Sequence, residues 1–305
     1  MATILIITPR VPYPASGADE QDRAEGITQL VRLGHTVHVI AKHFAWQDTE
    51  GARAWAKYDG FTLTLVPYKT GKHIFGRLQN PLWLDGAAYE YGSHEFKSIL
   101  EREIETHKPD IGWLDHSECW PVADVFHRHG IPVIARSINI ESTHFLQEEG
   151  RDPLKLVMFL AKHYGEYLLA KKSEVLLAIN PQEEQWYGRF GDARLLPLRS
   201  MGRIVANAPH QNHHGRRVLK LFFSGSSYNV PHNRAAAEFI ITKLMPRLRV
   251  TCPGRFEVHI TGAKLPDDLK TKVESDVHVR GYIPFEEMNA FFDDMDALGV
   301  RKAWK

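Results

Sequence analysis

The chain has 305 residues, 43% hydrophobic and 25% charged, enough for two domains of ordinary size in a globular protein. A formal charge of +1 argues against a bulk electrostatic nucleic-acid binder and against an acidic tail. Two isolated cysteines, Cys119 and Cys252, form neither a metal-type spacing nor a disulfide framework, which fits a reducing compartment.

The opening run Ile4 to Ile7 is β-branched and apolar, as in a strand buried on both faces. It is too short for a signal sequence, and no window holds the roughly 18 apolar residues that cross a bilayer. A cytoplasmic protein is expected, free to rest peripherally on the inner face of a membrane. A loop from Pro9 to Gly17 follows, with three prolines. A helix is predicted from about Asp19 to Leu33, with Gly34 as its C′ residue. Strands are predicted at Thr36 to Ile40, Phe61 to Val66, Asp110 to Leu114, Val133 to Ala135 and Val175 to Ile179. Helices are predicted at Ala87 to Glu105, Val122 to His129 and Leu154 to Lys172. This alternation predicts parallel sheets covered by helices.

The pattern lapses between about Leu198 and Arg217, where the polar run His210 to Gly215 sits. It predicts a first domain over 1–198, a linker over 199–217 and a second domain over 218–305. The second series has strands at Leu219 to Ser224, Glu257 to Thr261 and Val277 to Val279. Its helices are expected at Asn233 to Leu248, Asp267 to Glu274 and Phe285 to Phe292. The fold class is therefore α/β, two Rossmann-like doubly wound domains meeting at a cleft.

In open parallel sheets ligands bind outside the carboxyl ends of the strands. Several chemistry-bearing residues fall there. In the first loop, Ser16 and Gly17 precede a helix, where the backbone can approach a phosphate. No GxGxxG is present, and a plain proline-stiffened connection fits equally well. His116 follows the strand ending at Leu114 and suits acid–base work or a bond to a sugar hydroxyl. Seventeen histidines dilute that signal. Asn139 and Glu141 follow the strand ending at Ala135 and point to substrate contact, while Glu141 and Ser142 equally suit a helix start, with Ser142 favoured as a cap. In the second domain Gly225, Ser226 and Asn229 form a strand-to-helix loop suited to a diphosphate, and Gly262 ends the next strand at the same edge. The alternative is a plain turn with Asn233 as N-cap. His210, His213 and His214 lack a matching carboxylate or cysteine, so a solvated loop is favoured and no metal site is expected. Trp186 and Tyr187 suit packing better than sugar stacking.

Taken in order, TPRVPYPASGADEQDRAEGITQLVRLGHTVHVI, KPDIGWLDHSE, FFSGSSYNVPHNRAAAEFI, FEVHITGAKLP and VHVRGYIPFEEMNAFFDDMDAL resemble the successive segments of GT-B glycosyltransferases of the family-four, group 1 type. The resemblance spans nearly the whole chain. It implies transfer of a sugar from a nucleotide-diphosphate donor to an acceptor hydroxyl of a glycan, lipid or small molecule, with retention and without a metal. The donor is then a substrate and no cofactor is implied. It also implies a catalytic or donor-contacting role for His116 and a phosphate-facing Gly17.

The family also carries a glycine-rich loop and a helix bearing two acidic residues eight apart, after the strand beginning here near Asp296. The chain ends at Lys305 before such a segment, and no Arg or Lys stands in the Gly225 loop. The resemblance therefore implies an incomplete second domain and a chain inactive, or nearly so, alone. The alternatives are a non-catalytic fragment that binds a nucleotide or a partner and a sugar-nucleotide epimerase. The Pro-Tyr-Pro loop and the Tyr228-to-Asn233 segment disfavour the epimerase.

Overall fold

The computed structural model describes residues 1–15, 18–68, 84–149, 152–197, 218–229, 231–283 and 285–298. The chain divides into two compact units, Met1–Gly202 and Arg203–Lys305. The expected linker, 199–217, lies outside the described residues.

The first unit is a seven-stranded parallel sheet. Its strands are β1 (Thr3–Thr8), β2 (Thr36–His43), β3 (Thr62–Pro67), β4 (Ile111–Leu114), β5 (Val133–Arg136), β6 (Val175–Ala178) and β7 (Ala193–Leu195), in the order β3-β2-β1-β4-β5-β6-β7. Side chains alternate across a strand, and β1 shows how that builds two cores. Ile4 and Ile6 enter one cluster with Ile27, Val37, Val39 and Trp113. Leu5 and Ile7 enter the other with Ile40, Leu114, Val133 and Leu176. The helices supplying the cover are those at Ala18–Arg32 and Thr49–Asp59 on the first face, and His94–His107, Ala123–Arg128 and Pro153–Lys172 on the second.

The second unit repeats the start of this topology. Strands β8 (Leu219–Ser227), β9 (Phe256–Ala263), β10 (Val277–Gly281) and β11 (Ala297–Leu298) lie in the order β10-β9-β8-β11, all parallel. In both units the first strand is flanked by the second and the fourth.

Several element expectations need correction. The helix expected at Ala87 to Glu105 is two helices, Gly86–Gly92 and His94–His107, because Ser93 is extended and its Oγ caps the Phe96 N–H. The helix expected from Val122 begins as a 3-10 segment, Ser117–Val122, with Pro121 inside it. In the second unit the long helix starts at Pro231, so Asn233 is not its cap; the Asn233 side chain donates to the Ser227 carbonyl at 3.0 Å. That helix widens into a π turn at Ile240–Leu244 directly before Pro246, which has no N–H to give the preceding turn. The helix expected at Asp267 to Glu274 spans only Asp267–Lys270.

Candidate active site

β1 and β4 are neighbours, yet the chain leaves β1 toward β2 and leaves β4 toward β5. Their carboxyl ends mark the topological switch point of the first sheet. Asp115 donates its N–H to the Ile7 carbonyl and extends the pairing by one residue. His116 comes next, with an extended backbone at φ −173° that turns its ring to cap the 3-10 segment.

His116 is buried at 8% exposure, and both ring nitrogens are engaged. The Glu118 backbone N–H donates to Nδ1 at 3.3 Å, so Nδ1 is the lone-pair nitrogen of the neutral ring. The proton then sits on Nε2, which lies 3.3 Å from Glu141 Oε1. Burial opposes a charge on His116, but the Glu118 and Glu141 carboxylates outweigh it and hold its pKa above the usual value. Burial works against the Glu141 charge too; the His116 bond and charge override it and bring Glu141 down to about 2. The two shifts agree that the pair stabilises an imidazolium once Nδ1 takes up a proton.

Further acidic groups surround this pair. Burial, reinforced by Asp85, raises Glu118 despite His116 and Lys162. Lys162 reaches Asp85 at 3.0 Å, and the surrounding carboxylates overcome the burial that disfavours its charge. Glu166, 1% exposed, is raised to about 7 by burial, although Ser142 bonds favour its charge. Carboxyl groups thus outnumber cations around His116. Such polar groups suit a hydroxylated ligand, and the raised Glu118 and Glu166 keep the field milder than the number of carboxyl groups alone implies.

The structure brings His116 and Glu141 together. Asn139 is half-buried nearby, and its carbonyl accepts from Ser137 Oγ at 2.8 Å and from Tyr187 OH at 3.3 Å. Ser142 is not a cap: Glu141 opens the helix Glu141–Glu149, and the Ser142 hydroxyl is buried against Glu166 at 2.6 Å. Tyr187 is fully buried in the core, as packing required. Ser16 and Gly17 lie outside the described residues, as do His210, His213 and His214. Glu118, Lys162 and Glu166 were not anticipated. One signal was available for Glu166: it sits on the helix face that otherwise buries Ala161, Gly165, Leu169 and Ala170.

In the second unit Gly225 is buried within β8, and a Cβ there would meet the Tyr228 ring at 2.9 Å. Gly262 has φ +118°, and a Cβ on it would lie 1.9 Å from the Gly225 carbonyl oxygen. Close backbone approach therefore accounts for both glycines by packing. Asn229 is exposed, and its N–H donates to Ser227 Oγ at 3.4 Å. Ser226 lies in β8; its side chain is outside the described set.

Glu257, His259 and His278 present ligand atoms within 4.8 Å of one another. However, Arg280 Nε donates to His259 Nδ1 at 3.0 Å, which leaves the neutral ring's proton on Nε2, facing Glu257 at 3.1 Å. A metal on Nε2 would need that proton on Nδ1, where the guanidinium stands. This trio fits a polar ladder between β9 and β10 rather than a metal centre.

No protein-family profile matches the chain, and no curated protein matches it in sequence. Solved structures do match. The UGT2 of Phytolacca americana, complexed with UDP-2fluoro-glucose and pterostilbene, superposes with a TM-score of 0.59 at 10% identity, over 97% of this chain and 75% of that one. The UGT89C1 of Arabidopsis thaliana, complexed with UDP-L-rhamnose, gives 0.56 at 15% identity, over 97% and 74%. The OtsA apo structure gives 0.56 at 9% identity, over 97% and 77%. At such identities the likeness shows the fold, that of the GT-B class with its Rossmann-like α/β units. No helix among the described residues is long and apolar enough to cross a membrane.

Proposed function

We propose that the protein is a glycosyltransferase that moves a sugar from a nucleotide-diphosphate donor to an acceptor hydroxyl, with His116 as the proton acceptor. The observation that carries this reading is the His116–Glu141 pair at the switch point of a GT-B sheet. Glu141 fixes the Nε2–H tautomer and stabilises the imidazolium, while Nδ1 keeps the lone pair. An acceptor hydroxyl displaces the long Glu118 N–H contact, gives its proton to Nδ1 and attacks the anomeric carbon. The bond to the diphosphate breaks, and the nucleoside diphosphate leaves with the electron pair.

The carboxyl-rich surroundings of His116 support an acceptor, a glycan, lipid or small molecule, on the first unit. The donor is then assigned to the second unit, near Gly225, Ser226, Asn229 and Gly262, as the sequence resemblance implies. Asn139 supports the acceptor side, and Ser16 with Gly17 the phosphate. The neighbours with UDP-2fluoro-glucose and UDP-L-rhamnose support a nucleotide sugar as donor. Retention and metal independence follow the sequence resemblance; the acceptor proton must leave under either stereochemical course. A second reading is supported by the engagement of both His116 nitrogens within the protein: a domain that binds a nucleotide sugar without turning it over.

Calorimetric titration with a panel of nucleotide sugars, followed by a transfer assay that reads the product anomer by NMR, tests both. Binding with transfer supports the first reading, and binding alone the second. No binding by any nucleotide sugar overturns both.

A further inference from the structure

The helix Glu141–Glu149 puts Glu141 beside His116, and the Glu141 backbone N–H is itself held by the Glu166 carboxyl group. The tether continues one residue along. Ser142 is fully buried, and both of its donors converge on one side chain: Oγ reaches Glu166 Oε2 at 2.6 Å, and the backbone N–H reaches Glu166 Oε1 at 3.3 Å. Glu166 lies in the middle of the helix Pro153–Lys172, the longest described helix of the unit, with Gly165 beside it packed on Trp120. Its carboxyl group is also met by Tyr187 OH at 3.4 Å, and Tyr187 is joined through Ser137 Oγ to Glu183. Three segments therefore meet at one buried carboxyl group, and the loop after β5 joins them through Tyr187.

We propose that Glu166 is a positioning residue: by holding both donors of Ser142 it sets the first turn of the helix Glu141–Glu149 and keeps Glu141 against His116. This rests on the proposed role of His116 for its catalytic consequence, but not for its structural content. The groups facing Glu166 are Ser142 and Glu141 from one helix and Tyr187 from another; Ser137, from the loop after β5, and Glu183 reach it only through the Tyr187 hydroxyl. A carboxylate that accepts a helix's early N–H groups also favours that helix end electrostatically. If the tether is lost, Glu141 moves off Nε2 and the imidazolium loses its closest counter-charge.

The test is the titration of His116 in the whole chain, followed by NMR with labelled histidine and assigned by comparison with His116→Gln. Ser142→Ala removes the hydroxyl tether and deletes no ionisable group; measured also in the Glu166→Gln background, where the Glu166 charge that the hydroxyl favours is gone, its effect on His116 reports position alone. The expected result is a fall in the His116 pKa of about half a unit or more in Ser142→Ala, and a larger fall in Glu166→Gln. An unchanged His116 titration in a folded Ser142→Ala overturns the proposal. A shift seen only in Glu166→Gln also overturns it, since it would report through-space charge. If Glu166→Gln fails to fold, Ser142→Ala decides by itself. Where the wild type transfers sugar, Ser142→Ala is expected to lower kcat several-fold with KM little changed. If the wild type transfers nothing, the glycosyltransferase reading falls and the titration still decides the positioning role.

Discussion

Arg136 meets Asp22 through two parallel hydrogen bonds, Nε to Oδ2 at 2.9 Å and Nη2 to Oδ1 at 3.0 Å, with both side chains shielded from solvent. The same guanidinium donates to the carbonyls of Leu196 at 3.2 Å and Pro197 at 3.4 Å. It therefore joins the end of β5, the helix Ala18–Arg32 and the segment after β7. Removing one partner strands the other charge in the interior, which costs about 3–5 kcal/mol. Arg136→Met is expected to cost the first unit an amount in this range in chemical denaturation. The double variant Arg136→Met with Asp22→Leu should recover most of that loss. Equal destabilisation by the single and the double variant would show that the carbonyl contacts, rather than the ion pair, carry the energy.

His116→Ala is expected to lower turnover by roughly 10²–10⁴-fold if the imidazole takes the acceptor proton. The same change removes the cap on the 3-10 segment Ser117–Val122, so stability must be measured beside activity. His116→Asn restores a side-chain acceptor for the Glu118 N–H without a titratable ring. It should regain the stability and not the turnover. Recovery of both would return His116 to a capping role.

The two-sheet architecture was legible because buried parallel strands announce themselves as short apolar runs, such as Ile4 to Ile7 and Leu219 to Phe223. The helix Thr49–Asp59 was not, since its buried face is made of Ala52 and Ala56 and gives little hydrophobic contrast. His116 and Glu141 were both legible as residues at strand ends, but not as a pair. Their contact depends on the path of the loop after β5, which no local pattern encodes. The partner of Glu166 was hidden for the same reason: the carboxylate interrupts the apolar face of its helix, but Ser142 lies 24 residues away in sequence. The glycines of the second unit also carry a packing role that the sequence did not show. Gly225 and Gly262 look like a ligand cradle in sequence, while in space Gly262 makes room for the Gly225 carbonyl and Gly225 for the Tyr228 ring.

Gly262→Ala should damage the second unit well beyond an ordinary surface change. At φ +118° an L side chain is strained, by about 1–3 kcal/mol in such regions. The added Cβ would also lie 1.9 Å from the Gly225 carbonyl oxygen, a backbone atom that cannot swing aside. β8 and β9 must then part where Tyr228 donates to the Thr261 carbonyl at 2.6 Å. The loss is expected to exceed about 3 kcal/mol, confined to the second unit's transition. Hydrogen exchange localises it: amides of β8 and β9 should lose protection while those of β1 and β4 keep theirs. Unchanged protection in β8 and β9 would mean the strands absorb the methyl group.

Stability of the first unit should fall from mildly acidic to mildly alkaline pH, and Glu166 should account for much of the slope. Its folded pKa of about 7 lies above the ordinary 4.5, chiefly because it is buried. Between those values the folded state binds more protons than the unfolded one, so stability decreases as pH rises from about 4.5 to about 7. His116 acts in the same direction but higher: its folded pKa is raised, so its contribution is complete below 6.5 and is lost as pH climbs through the folded value. Glu141 acts oppositely and lower: with a folded pKa of about 2, its contribution is present above 4.5 and is lost as pH falls toward 2. Together these place the stability maximum of the first unit near pH 5. Melting temperatures from pH 3 to pH 8.5 test this in the wild type, Glu166→Gln and His116→Gln. Glu166→Gln should flatten the limb between about pH 5 and 7 and keep the decline above it. His116→Gln should keep the limb and lose that later decline. A wild-type slope unchanged in Glu166→Gln would mean that Glu166 is already ionised at pH 5, and that the field around Ser142 stabilises its charge more than burial opposes it.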